Sequence, residues 1–102
     1  REGDNIYVDI HLPFYLAALG GNISVPTLYG SENIAISPGT QQGQKILLKG
    51  KGIKSFYGNR RGDEIAIVNI DIPKDMTKEE RETLQRFKEL HEGSKDKRFG
   101  FF

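Results

Sequence analysis

Asp9 and His11 stand two residues apart with Tyr7 before them, a spacing that could let a carboxylate orient an imidazole for general-base work. On a strand of period two all three project from one face. The same alternation makes them the polar side of a half-buried strand. No Ser or Cys nucleophile signature accompanies them, so the solvated face is the favoured reading. Asp63 and Glu64 are neighbours on a candidate strand, so their side chains diverge and form no carboxylate dyad. With no cysteine there is no disulfide, thiolate nucleophile or Cys-based zinc site, and the two histidines cannot close a zinc site by themselves. The chain is read as a non-enzyme with no metal and no cofactor.

A second candidate is the segment from Lys49 to Arg61. It mixes Lys49, Lys51, Lys54, Arg60 and Arg61 with Phe56 and Tyr57, the combination of cations and stacking rings that single-stranded nucleic acid prefers. It is no phosphate-binding P-loop: Lys45 stands where the first glycine is needed, and no Ser or Thr follows Lys51. Arg61-Gly62-Asp63 spells an adhesion tripeptide, but its Asp opens a candidate strand. The chain carries 15 basic and 14 acidic residues, a net charge of +1, which offers no large field for nucleic acid or an anionic membrane. No apolar run approaches the ~18 residues of a membrane span, and no secretory signal is visible.

These residues must be positioned by one modest domain of 102 residues. Ile6, Val8, Ile10 and Leu12 alternate with Tyr7, Asp9 and His11 as a first strand. Pro13 to Gly21 reads as one or two helical turns, with Pro in the first turn and the glycine pair at the end. Ile23 and Val25, then Ile34 and Ile36, predict a hairpin turning at Tyr29-Gly30. Pro38-Gly39-Thr40-Gln41-Gln42-Gly43 is turn chemistry leading into Lys45–Lys49, and residues 50–62 form a long glycine-rich loop. Asp63 to Ile72 is the longest strand candidate. Ala66, Val68, Ile70 and Ile72 share one face, Ile65 and Ile67 lie opposite, and the first half is expected to be buried on both sides. Thr77-Lys78-Glu79-Glu80 is a capping box that starts a helix, expected to run from Lys78 to Glu92 and to stop at Gly93-Ser94. Leu84, Phe87, Leu90 and His91 gather on one of its faces, a stripe too thin for a core helix.

The order of Ala17-Ala-Leu-Gly-Gly-Asn-Ile-Ser-Val-Pro-Thr-Leu-Tyr-Gly30, Pro38–Gly43 and Lys49-Gly50-Lys51-Gly52-Ile53 resembles the second C-terminal β-domain of the DnaJ co-chaperones, the J-domain proteins. Arg1-Glu2-Gly3-Asp4-Asn5-Ile6 resembles the family's start of that domain, and Gly62-Asp63-Glu64-Ile65 the opening of its last long strand. The resemblance covers residues 1 to 92. It implies a mainly β fold: a small two-layer, sandwich-like domain with one short helix after the first strand and a C-terminal amphipathic helix. The expected division is residues 1–75 as the β-domain and 76–102 as a dimerisation helix and tail of the same structural unit. Beginning at Arg1 without Met, the chain is expected to be a piece of a longer protein.

By the same resemblance the fragment would serve dimerisation and support client binding in a co-chaperone that passes unfolded polypeptides to a DnaK-type ATP-driven chaperone. The dimer interface would use Leu84, Phe87, Leu90, His91, Phe99, Phe101 and Phe102. Clients would lie along Ile23 and Val25, with Phe14, Leu16 and Leu19 as pocket walls. The His-Pro-Asp tripeptide and Cys-x-x-Cys units of the family are not in this sequence, so ATPase stimulation and zinc binding are assigned to other parts of the parent. The expected location is the cytoplasm, with an organelle left open. The alternative is a nucleic-acid-binding β-module acting through the Lys49–Arg61 loop.

Overall fold

The computed structural model describes residues 3–55 and 60–99, with side chains as far as residue 93 in the last helix. The elements in chain order are β1 (Ile6–Pro13), α1 (Phe14–Leu19), β2 (Gly21–Thr27), β3 (Gly30–Ile36), β4 (Lys45–Leu48), β5 (Glu64–Asp71) and α2 (Lys78–Phe99). Mainly strands in two sheets with a C-terminal helix, this is the mainly β class the sequence implied. Two compact units can be distinguished, Arg1–Ile72 and Pro73–Phe102.

In the β unit the central strand is β5. It pairs parallel with β1, Ile6 opposite Glu64 through Pro13 opposite Asp71, and antiparallel with β4, Lys45 opposite Ile67 through Leu48 opposite Glu64. A parallel pair needs a long crossover. Here α1, the β2–β3 hairpin and β4 supply it. The hairpin is a separate two-stranded sheet that runs from Gly21 opposite Ile36 to Thr27 opposite Gly30. Thr27 closes its turn by donating from Oγ1 to the Gly30 carbonyl at 2.6 Å and accepting from the Tyr29 N–H at 3.0 Å.

Alternation decides which faces meet. Ile10 and Leu12 of β1, Val25 of β2, Ile36 of β3, Leu48 of β4, Ala66 and Val68 of β5 and Ala17 of α1 are buried in one cluster, so both sheets and the short helix share a core. Fully burying one such aliphatic side chain contributes about 1.5–3 kcal/mol. The Pro38–Gly43 turn is fastened to α1, because the Gly39 and Thr40 N–H groups both donate to the Ala17 carbonyl, at 2.9 and 3.0 Å. The buried Thr40 hydroxyl donates in turn to the Ser37 carbonyl at 2.7 Å.

Four details differ from the expectations above. Pro13 sits just outside α1 as an extended N-cap residue, with ψ 147°, rather than within its first turn. The burial of β5 is graded, with Glu64, Ala66 and Val68 buried but Ile65 and Ile67 only half-buried. Ile72 lies beyond the strand and is exposed. The helix does not stop at Gly93. It continues to Phe99, because Gly93 is not among the glycines with positive φ and forms no left-handed cap. One glycine costs a helix only about 1 kcal/mol, which the good helix formers around it outweigh.

Candidate functional site

Three surfaces hold the residues singled out from the sequence. The first is a clasp where the chain's start meets the loop before β5. The Ile53 N–H donates to the Asp4 carbonyl at 2.8 Å, the Gly52 N–H to the Gly62 carbonyl at 2.9 Å, and the Gly62 N–H to the Ile53 carbonyl at 2.9 Å. The Asp63 N–H donates to Asn5 Oδ1, and Asp63 Oδ1 accepts from the Gly50 N–H, both at 2.8 Å. This closeness requires two residues without side chains. A Cβ on Gly52 would lie 2.5 Å from the Asp4 carbonyl oxygen, and one on Gly62 would collide with the same carbonyl group. The glycines of Lys51-Gly52-Ile53 and Gly62-Asp63 are therefore there to let three backbone segments touch.

The clasp gives shape to a cleft of about 570 Å³ lined by Lys49, Gly50, Lys51, Arg60, Arg61 and Asp63. Its fittings come partly from the hairpin. Tyr29 donates its hydroxyl to the Gly52 carbonyl at 2.8 Å, and the Arg61 guanidinium lies over the Tyr29 ring, 4.1 Å from its centroid. Lys51 Nζ is 3.5 Å from Glu32 Oε2 on β3. The basic loop was visible in the sequence, but the part of Tyr29 was not, since it lies more than thirty residues before Arg61. Phe56 and Tyr57 lie outside the described residues.

Beneath this end of the sheet Glu64 is 1% exposed, and its Oε2 has no hydrogen-bond partner among the described residues. Its burial pushes the carboxyl above the ordinary glutamate range, because desolvation penalises the charged form. Asp63 and Glu64 do diverge, one bound to the loop and the other turned into the core.

On the outer face of the larger sheet, His11 Nδ1 pairs with Asp71 Oδ1 at 3.2 Å rather than with Asp9, and both side chains are exposed. Asp9 accepts instead from Asn69 Nδ2 at 3.4 Å, and Asn69 Oδ1 is reached by Gln42 Nε2 at 3.3 Å. Among the described residues no group of three or more His, Cys, Asp or Glu could hold a metal ion.

The second surface is the short helix with the β2 edge. Val25 is wholly buried and Ile23 half-buried against the core, Phe14 and Leu16 are half-buried, and Leu19 is 77% exposed. The side chain nearest to solvent is thus Leu19, while Val25 belongs to the core beneath it.

The third surface is α2. The Thr77 N–H donates to Glu80 Oε1 at 2.8 Å and the Glu80 N–H to Thr77 Oγ1 at 3.0 Å, the reciprocal capping box the sequence predicted. Lys88 and Glu92 pair one turn apart at 3.3 Å. The Phe87 and His91 rings stack at 5.7 Å, beside a groove of about 380 Å³ lined by Met76, Leu84 and Phe87 among others. Phe87 and Leu90 are more than half exposed. The Phe99 side chain, Phe101 and Phe102 lie outside the described residues. Among the described residues no helix is long and apolar enough to cross a membrane.

The class that this fold and its clasp define is a small mixed-sheet β domain followed by an amphipathic helix. More narrowly, the chain belongs to the DnaJ C-terminal domain family, whose model, described as the DnaJ C terminal domain, matches residues 1–73. A Chaperone protein DnaJ of Caldicellulosiruptor saccharolyticus is 41% identical over 88% of this chain and 23% of its own length. One of Acetivibrio thermocellus is 42% identical over 100% of this chain and 27% of its own. A mitochondrial dnaJ chaperone protein of Arabidopsis thaliana is 40% identical over 96% of this chain and 22% of its own. The chain thus spans about a quarter of the length of the curated relatives it matches.

Proposed function

We propose that this chain is the dimerisation and supporting client-binding module of a DnaJ-like co-chaperone whose parent delivers unfolded polypeptides to a DnaK-type ATP-driven chaperone. Membership of the family, with relatives named as chaperones, supports the chaperone role. The observation that carries the module's part in it is the exposed apolar stripe of α2. Phe87 is 58% and Leu90 55% exposed, beside a groove that Leu84 helps to line. Covering three such side chains contributes a few kcal/mol at about 25 cal/mol per Å², enough for a modest dimer. His91 extends the stripe through its stack on Phe87. Phe99, Phe101 and Phe102 are proposed to enlarge the same interface.

Client segments would lie along the β2 edge, with Leu19, Phe14 and Leu16 supplying apolar contact and Ile23 and Val25 the wall behind it. Dimerisation then joins two weak sites on one particle and raises the effective concentration of the second, so avidity stands in for tight contact. Sedimentation equilibrium of residues 1–102, beside a variant with Leu84, Phe87 and Leu90 changed to Ala, tests the assembly. A dimer that becomes a folded monomer supports the helix interface. A wild-type chain that stays monomeric at high micromolar concentration sinks it.

A further inference from the structure

The basic cleft takes no part in the helix stripe or in the β2 edge. Four cationic residues line it, and one acid, Asp63, whose Oδ1 is already engaged by the Gly50 N–H. In a chain whose net charge is only +1 this is a local concentration of positive charge. We infer that the cleft is a binding site for a short acidic stretch of polypeptide, one that offers two or more carboxylates to Lys49, Lys51, Arg60 and Arg61.

Two of the four cations, Arg61 and Lys51, are held in place. The Arg61 guanidinium carbon lies over the Tyr29 ring, and the Tyr29 hydroxyl is tied to the Gly52 carbonyl, so hairpin and loop fix each other. A guanidinium held over a ring loses less freedom on binding and still has N–H donors to offer a carboxylate. Lys51 is steadied by Glu32. The loop's stem is a short ladder, with Lys54 bridged to Arg61 and Gly52 hydrogen-bonded to Gly62. Lys49 and Arg60 are exposed, and among the described residues neither is in an ion pair.

Size and charge favour peptide over nucleic acid. A cleft of about 570 Å³ accepts a few side chains, and a net charge of only +1 supplies no large overall field for a phosphate backbone. Carboxylates on a flexible segment need no such track.

The test is fluorescence anisotropy of residues 1–102 with a labelled peptide of alternating Glu and Gly, against the same peptide with Gln for Glu. The Glu peptide is expected to bind at least ~10-fold more tightly and to weaken severalfold as salt rises from about 50 to 300 mM, because screening acts on exposed ion pairs. Lys49→Glu with Arg60→Glu is expected to lower affinity by about 10-fold or more, whereas the same charge change at exposed Lys45 and Lys74, outside the cleft, does so far less. Tyr29→Leu removes the shelf and keeps every charge. It is expected to weaken binding severalfold, with circular dichroism confirming the fold. Equal binding of the two peptides overturns the inference, as does equal weakening by Lys45→Glu with Lys74→Glu. So does a single-stranded oligonucleotide that binds more tightly than the Glu peptide through Lys49 and Arg60. None of these outcomes bears on the dimer test.

Discussion

The β unit joins partners 58 positions apart, Asn5 to Asp63, whereas the hydrogen bonds and ion pairs that shape α2 span three or four positions. Among the described residues the first region gathers eight apolar side chains into a shared core, although Leu19, Leu28 and Leu47 stay more than half exposed. The second leaves Phe87 and Leu90 more than half exposed. Long-range closure fixes a region's shape cooperatively, so a fault anywhere in it is felt throughout. A helix held by local signals responds only locally, and its apolar stripe remains available for a partner.

The largest break in that contrast is Gly62→Ala. A methyl group there collides with the Asp4 carbonyl, and the clasp has no slack, so the β unit is expected to lose about 3 kcal/mol, the upper end of overpacking costs. Urea unfolding followed by near-ultraviolet dichroism checks it. A variant as stable as the parent would show that the segments can part freely.

Next is Glu64→Gln, which acts in the opposite direction. The folded carboxyl titrates above its unfolded value, so its ionised form is the disfavoured one in the fold. The stability it contributes is present below the ordinary carboxylate range and is lost as pH rises through the raised folded value. Replacing it with Gln removes the ionisation penalty and should therefore stabilise the β unit at neutral pH, and by much less at acid pH, where the carboxyl is already neutral. Melting temperatures at the two pH values decide this.

The helix should answer more weakly and by itself. Thr77→Ala removes one arm of the capping box and is expected to cost about 1 kcal/mol of helix stability, seen as lost ellipticity at 222 nm with the core transition unmoved. Smallest is Gly93→Ala. Since the helix passes through Gly93 with open space where the Cβ would stand, the substitution is expected to add up to about 1 kcal/mol of helix stability. An amide-exchange map would show whether the gain stays within α2.

The two regions also differ in how far they could be read beforehand. Alternation in β1 and in the hairpin, and the Thr77–Glu80 box in α2, are written within each element's own residues, and these elements stand where the sequence put them. Non-local facts were not legible. Nothing near Ile6 announces that it will lie beside Glu64 in a parallel pair. The order of glycines suggested the family, but only the folded clasp explains why Gly52 and Gly62 must be glycines. The first half of β5 was expected to be buried, but that the charged Glu64 would be buried with it was not legible before β1 and β4 paired on either side of it. The basic loop was legible as a composition. Its cleft was not, because the ring beneath Arg61 arrives from the hairpin. Gly93 misled because a glycine after an amphipathic stretch usually ends it, while the residues beyond were helix formers too.

The parallel pairing of β1 with β5 also governs the order in which the chain can assemble. The β2–β3 hairpin needs only neighbours in sequence and closes on its own in microseconds. β1 must wait for its partner. On a ribosome adding ~5–20 residues per second, several seconds pass between the synthesis of Ile6 and that of Glu64, while Ile6, Val8, Ile10 and Leu12 have no strand to lie beside. For that interval the strand that will join the core is itself an extended apolar segment with open hydrogen-bonding edges. A domain proposed to shelter such segments in other proteins passes through the same exposed state during its own birth.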